Sequence, residues 1–220
     1  MHVFKGITLI GGINYDSNIY LIDGELIIDA GSGKFFAETR EDIENSGYDL
    51  DKIKTLINTH CHFDHTGGDK KLRDWLGLKI GVHKNDVEAL TTGIGTLAER
   101  FGESSRSITT DKLLKDGDII NTTHFDFTVI ETPGHTPGSI CLLEKNKGIL
   151  ISGDTLFADS RGRTDIPGAD TQQLMDSLKK LLSINANYLL PGHGQPKMGG
   201  VSFLVKQILA REQHAVAMQK

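Results

Sequence analysis

The segment Asn58 to Gly68 reads NTHCHFDHTGG and sets three histidines and an aspartate between His60 and His65. Packing gives no reason for that density of imidazoles, whereas a metal site does, because imidazole and carboxylate are common ligands of divalent ions. In an extended or looping backbone, residues two apart point the same way. His60 and His62 can therefore grip one ion while Asp64 and His65 turn toward a neighbouring one. A chain that bends sharply beside a metal also favours residues without Cβ, and Gly67 and Gly68 supply them.

A cluster of this kind needs rigid strands behind it and more ligands from elsewhere. IKTLINT, Ile53 to Thr59, is a short apolar run that reads as a strand leading straight into the cluster. His135 in TPGHTPGS, Asp154 in SGDTLF and His193 in LPGHG each follow a strand-like run, with glycine alongside. Alone, a Gly-His or Gly-Asp pair reads as a turn or a helix cap. Together with HCHFDH they read as one ligand set drawn from several strand ends.

The rest of the chain supplies the strands. Val3 to Ala30 is strand-like, with Asp23-Gly24 as a hairpin turn. Apolar spacing predicts helices over Phe35 to Asn45, Leu72 to Leu78 and Leu174 to Leu182, and a short terminal helix at about 200–218. Ser139 to Asp154 repeats the plan of Asn18 to Gly31: strand, polar turn, strand, Asp/Gly corner. That duplication predicts two similar β-rich halves facing each other, with helices outside. The polar stretch Asn85 to Lys112 reads as a surface excursion, and Phe101, Tyr15 and Phe157 are candidates for a pocket mouth. No linker or low-complexity break divides the chain, so residues 1–220 are expected to form one domain.

Composition narrows the partners. With 38% hydrophobic and 24% charged residues the chain has the balance of a folded globular protein. A net charge of −5 argues against a general nucleic-acid binder. Two cysteines, Cys61 and Cys141, cannot frame a chain of this length with disulfides, which suits a reducing compartment. MHVFKGITLIGG reads as a strand and not as a secretion signal. No run approaches the ~18–20 apolar residues of a membrane span. A cytoplasmic location without a membrane partner is expected, and homo-oligomerisation is left open.

THCHFDHTGG, the later His135, Asp154 and His193, and the duplicated β-rich layout together resemble the metallo-β-lactamase fold superfamily over nearly the whole chain. The resemblance implies an α/β fold, a four-layer αββα sandwich with the site at one edge between two sheets. It also implies roles: His60, His62 and His135 on one metal, Asp64, His65 and His193 on the other, and Asp154 bridging both. Two divalent ions are the implied cofactors, with zinc expected and iron or manganese as alternatives. Such a pair shares a bridging water, lowers its pKa and clamps the oxygen that turns negative as a carbonyl is attacked. Asp64 would be the catalytic carboxylate that orients the attacking oxygen. The substrate would be a small anionic or thioester molecule, since a net positive site favours anions.

GDTLFADSRGRTDIPGAD, Gly153 to Asp170, resembles the branch that holds glyoxalase II-like thioesterases and persulfide dioxygenases. Glyoxalase II proper has a lysine- and tyrosine-containing stretch where this chain has GRTDIP, and a helical C-terminal domain where few residues follow His193. A thioester other than that of glutathione is therefore in view. The alternative from another class is a dioxygenase with one iron on His60, His135 and Asp154. A ribonuclease Z-like phosphodiesterase or a lactonase follows behind. A secreted β-lactamase is disfavoured by His65, where the main zinc β-lactamase class has arginine. A non-catalytic metal binder would need an incomplete shell, and all seven positions are filled.

Several residues have plainer readings. Alternation turns Cys61 away from its neighbours, as a packing residue. His2, His83, His124 and His214 lack ligand-type surroundings and read as surface or strand-end histidines. Arg163 either holds a substrate carboxylate or locks its loop through Asp165.

Overall fold

All five residues of NIYLI, Asn18–Ile22, are buried, which a strand tolerates only when both of its faces are covered. The computed structural model, which describes residues 1–104 and 107–217, shows what covers them. One sheet takes seven strands in chain order: β1 (His2–Phe4), β2 (Ile7–Gly11), β3 (Asn18–Ile22), β4 (Leu26–Ile28), β5 (Thr55–Ile57), β6 (Lys79–His83) and β7 (Lys112–Leu114). The other takes β8 (Ile119–Asn121), β9 (Asp126–Glu131), β10 (Ile140–Glu144), β11 (Ile149–Gly153), β12 (Tyr188–Pro191) and β13 (Lys197–Met198), also in order along the sheet. The α-helices are α1 (Phe36–Glu44), α2 (Phe63–Thr66), α3 (Asp69–Leu76), α4 (Val87–Thr92), α5 (Thr171–Leu181) and α6 (Val201–Ala217).

Alternation along the strands separates three cores. Tyr20 and Ile22 of β3 meet Ile149 and Ile151 of β11 and Leu190 of β12 between the sheets. Ile19 and Leu21 face the other way, onto Ile43 of α1 and Leu72 and Leu76 of α3. Leu150 and Leu189 face α5 and α6 through Leu178 and Val205. The result is the four-layer αββα sandwich.

The duplicated plan is visible in the pairing. β2, β3 and β4 run antiparallel, and β4 then pairs parallel with β5 across the α1 crossover. β9, β10 and β11 run antiparallel, and β11 pairs parallel with β12 across α5. Parallel neighbours need such helical crossovers, and they bring the C-terminal ends of both strands to one edge. The turn between β3 and β4 has Asp23 and Gly24 at φ 53° and 67°, the two positive angles of a tight hairpin.

Three sequence expectations shift. The helix expected at Leu72 to Leu78 runs Asp69–Leu76, because Gly77 takes the left-handed conformation, φ 69°, and stops it. The strand expected over Ile53 to Thr59 is confined to Thr55–Ile57. The terminal helix, expected to be short, is the longest among the described residues, and position 218 of its expected span lies outside them. Within Asn85 to Lys112 the chain forms α4 and a 3-10 turn at Ala98–Phe101; positions 105 and 106 lie outside the described residues. No helix among the described residues is long and apolar enough to cross a membrane.

Candidate metal centre

Five of the seven donors expected from the sequence lie in loops that follow a strand's C-terminal end. His60 and His62 follow β5, His135 follows β9, Asp154 follows β11 and His193 follows β12. Extended backbone holds for His62, at φ −64° and ψ 148°, but Asp64 and His65 stand on the one-turn helix α2. A helical turn sends these two side chains across the groove, toward the second sheet. That turn needs its glycines: a Cβ on Gly68 would lie 2.1 Å from the carbonyl oxygen of Ala30.

The second sheet is tied to the first at the same edge. Asn18 Nδ2 and the Tyr20 hydroxyl both donate to the carbonyl of Pro191, at 2.9 and 2.8 Å. This fixes the end of β12, where Gly192 lies so close that a Cβ would meet Asp154 Oδ1 at 2.3 Å.

Three groups of donor atoms converge, each within 4.8 Å: His60, His62 and His135; His60, His65 and Asp154; Asp64, His65 and His193. Asp154 stands between the outer two groups. Its Oδ2 is 3.4 Å from His135 Nε2 and 3.7 Å from His193 Nε2, and its Oδ1 is 3.3 Å from His65 Nε2. Asp64 Oδ2 lies 3.1 Å from His193 Nε2. The structure brings the seven residues together at one edge of the two sheets. Arg163 stands apart, its guanidinium paired with Asp165 at 2.9 Å and its side chain 63% exposed.

Hydrogen bonds set the histidine tautomers. His135 Nδ1 donates to the carbonyl of Arg163 at 2.9 Å, and a carbonyl can only accept, so Nε2 keeps its lone pair. His65 Nδ1 donates to Asp29 Oδ2 at 2.9 Å, which turns Nε2 toward the donor group. The Thr59 hydroxyl donates to Asp29 Oδ2 at 2.9 Å and accepts from His60 Nδ1 at 3.1 Å, which leaves His60 Nε2 facing the donor group, 3.1 Å from His62 Nδ1. His62 Nε2, His135 Nε2 and Asp154 Oδ1 are buried with no hydrogen-bond partner. Buried acceptors without donors are costly, and a divalent cation is the partner that suits an imidazole and carboxylate set. The residues fit the metal.

Charge divides the site in two. Burial, reinforced by neighbouring imidazoles, holds His60 well below its ordinary pKa and takes His62 down to about 3. Burial acts in the same sense on His65, but the carboxylates of Asp29 and Asp154 outweigh it and raise His65 well above 6.5. Against burial, the Asp64 hydrogen bond and the Asp154 charge raise His193. Asp154 and Asp64 are lowered despite burial, by His65 and by His193 respectively.

Two positioning residues were not singled out in the sequence. Asp29 ends β4 as Asp154 ends β11, so the internal repeat carried its signal. Asp86 accepts from the backbone N–H of Cys61 at 2.9 Å, the Thr136 hydroxyl at 2.7 Å and the Gly138 N–H at 2.7 Å. It staples the His60–His62 loop to the His135 loop, and no sequence pattern announces it. Cys61 itself faces Val82 and Leu90, away from the donors. His83 ends β6 as a buried residue, its Nε2 2.7 Å from Glu131 Oε1. Of the aromatics considered for a pocket mouth, Phe157 stands 6.2 Å from the His193 ring, Phe101 packs on Phe63, and Tyr15 is 84% exposed.

Comparison with known proteins agrees with this geometry. Residues 13–193 match the profile of the Metallo-beta-lactamase superfamily. A probable metallo-hydrolase of Methanocaldococcus jannaschii, MJ0888, is 35% identical over 203 residues, covering 86% of this chain and 93% of its own. The hydroxyacylglutathione hydrolase GloC of Haemophilus influenzae is 34% identical over 146 residues, 64% of this chain and 69% of that one. Among solved structures, the B3 metallo-beta-lactamase BLEG-1 superposes with a TM-score of 0.73 at 28% identity, over 87% of this chain and 93% of its own. TTHA1623 in a di-iron-bound form gives 0.72 at 29% identity, over 89% and 94%.

Proposed function

The chain belongs to the metallo-beta-lactamase superfamily, and on that premise we propose that it is a binuclear metal-dependent hydrolase acting on a small thioester or related acyl compound. The relatives and the donor set support metal-dependent hydrolysis in general. The observation that carries the binuclear form is the convergence of seven donors from both sheets, with Asp154 facing His135 on one side and His65 on the other.

His60, His62 and His135 would hold one ion, Asp64, His65 and His193 the second, with Asp154 between them. Divalent ions bound there would lower the pKa of a shared water and polarise the substrate carbonyl. Asp64, the more open of the two donor carboxylates at 15% against 11% exposure, orients the attacking oxygen. Asp29 and Thr59 keep the imidazole protons on the outer nitrogens. A thioester suits a site whose titratable groups are all committed as donors. A thiol has a pKa of about 8.5, so a thiolate leaves without a proton donor, unlike an amine or an alkoxide.

The likeness to GloC supports a thioester, and Gly153 to Asp170 carries the branch resemblance. A small-molecule substrate, without nucleic acid or membrane as partner, completes the reading. Metal analysis of the purified protein, with assays on S-lactoylglutathione, a short acyl thioester, nitrocefin and a phosphodiester, tests it. About two ions per chain and thioester turnover are expected. One iron per chain with oxygen uptake on glutathione persulfide would replace it by the dioxygenase, and turnover of nitrocefin alone by a lactamase.

A further inference from the structure

The loop that touches His135 is held from outside by the terminal helix. Arg161 Nε donates to Glu212 Oε1 at 2.9 Å and Nη2 to Glu212 Oε2 at 3.0 Å, so the α6 carboxylate takes the guanidinium fork with both oxygens. The pair is 19% and 33% exposed, which shields it from solvent more than a surface pair. Arg161 Nη1 turns inward, donating to the Gly162 carbonyl at 2.9 Å and to Thr164 Oγ1 at 3.2 Å. One guanidinium therefore joins α6 to two positions of the loop's inner turn, Gly162 and Thr164.

That turn lies directly on the donors. The Arg163 carbonyl accepts from His135 Nδ1 at 2.9 Å. At Gly162 a Cβ would stand 1.9 Å from the Asp154 carbonyl and 3.3 Å from His135 Nδ1, so the loop has no slack toward the site. A displacement at Arg161 passes to the Arg163 carbonyl two residues on. The neighbouring Arg163–Asp165 pair has the same fork geometry but is 63% and 71% exposed and lies within the loop itself. It anchors to no other element, and it serves as an internal comparison.

We propose that Glu212, acting through Arg161, positions His135: the α6 clamp presses the 161–164 loop onto the imidazole and fixes the ring's tautomer and angle for the ion. The proposal rests on the reading of His135 as a metal ligand. Glu212 and Arg161 touch no donor atom, so they are positioning residues.

The test uses the full chain with Glu212→Gln, Arg161→Met, the double variant and the exchanged pair Arg161→Glu with Glu212→Arg. Zinc affinity is read by competition with a chromophoric chelator, and the His135 ring by long-range 1H–15N spectra of the metal-free protein. Glu212→Gln is expected to weaken zinc binding about 3- to 10-fold, below the 10–100-fold typical of removing a ligand's direct partner. It also shifts the His135 Nδ1 resonance. The double variant loses no more than Arg161→Met alone, because the two residues act as one unit. The exchanged pair recovers part of the loss.

Unchanged affinity and unchanged His135 resonances in folded Glu212→Gln would overturn the clamp. So would an equal loss in Asp165→Asn. If Arg161→Met does not fold, Arg161→Lys carries the same comparison, since lysine keeps the charge without the fork. A wild-type chain that takes up no zinc would count against the metal reading, whereas the metal-free spectra still decide whether Glu212 governs the ring.

Discussion

Asp29 and His65 meet at 2.9 Å, Oδ2 to Nδ1, with neither side chain more than 2% exposed. The opposite ring nitrogen lies 3.3 Å from Asp154. The imidazole is thus bracketed by the aspartates that end the equivalent strands β4 and β11, one orienting it from behind and the other sharing its donor side. Asp29→Asn tolerates the left-handed backbone there, φ 60°, but loses the charge and one acceptor oxygen. Metal affinity is expected to fall about 10–100-fold, measured by chelator competition. A folded variant with undiminished affinity would remove Asp29 from this role.

Protons and metal compete at the site, and the two halves respond differently. Near pH 7 the metal-free protein holds His60 and His62 neutral, because their pKa values are depressed, so an ion there displaces no proton from them. His65 and His193 have raised values and carry protons into that range, and an ion on Asp64, His65 and His193 must expel them. Lowering the pH therefore weakens the second position before the first. Stoichiometry read by elemental analysis after dialysis is expected to pass from about two toward one between neutral and mildly acid pH. Simultaneous loss of both ions would contradict this division.

Asp64 reaches His193 at 3.1 Å yet contributes to none of the three packed cores. Asp64→Asn is accordingly expected to lower kcat by two orders of magnitude or more, on the scale of about 10²–10⁴ for losing a group that acts on the reacting proton. Melting of the metal-free protein should change little. A folded, fully active Asp64→Asn would exclude the carboxylate from catalysis.

The donors were legible because metal chemistry restricts residue type more tightly than packing does. Five of the seven are His or Asp following a recognisable strand, and Asp64 and His65 stand in the same short run as His60 and His62. The four-layer order was legible through the repeat of Asn18 to Gly31 in Ser139 to Asp154, where alternating apolar faces demand cover on both sides. What escaped the sequence is local and contextual. The α2 turn within the loop is held by the N–H groups of Ser17 and Ala30, which bond the carbonyls of Asp64 and His65, contacts made only after folding. Asp86 joins loops far apart in the chain, and Glu212 of α6 meets Arg161 only once the helix has packed over Leu150 and Leu189.

Arg163 and Asp165 form a two-pronged pair, Nε to Oδ1 and Nη2 to Oδ2, both at 2.9 Å. The pair lowers the Asp165 carboxyl to about 2, through the Arg163 hydrogen bond first. Both side chains are largely open to solvent, where ion pairs add little to folding, and the loop is anchored by Arg161 instead. Asp165→Asn is therefore expected to leave the melting temperature nearly unchanged. The Arg163 fork can then be tested as the holder of a substrate anion, in place of Asp165. Arg163→Lys keeps the charge but loses the planar fork, so KM for a carboxylate-bearing thioester should rise about tenfold, the scale of one lost charge-assisted hydrogen bond. Thioesters without a carboxylate should be indifferent to the change. If instead both single variants melt earlier by similar amounts and the double variant melts no earlier than either, the pair is a structural brace and Arg163 is not part of the substrate site.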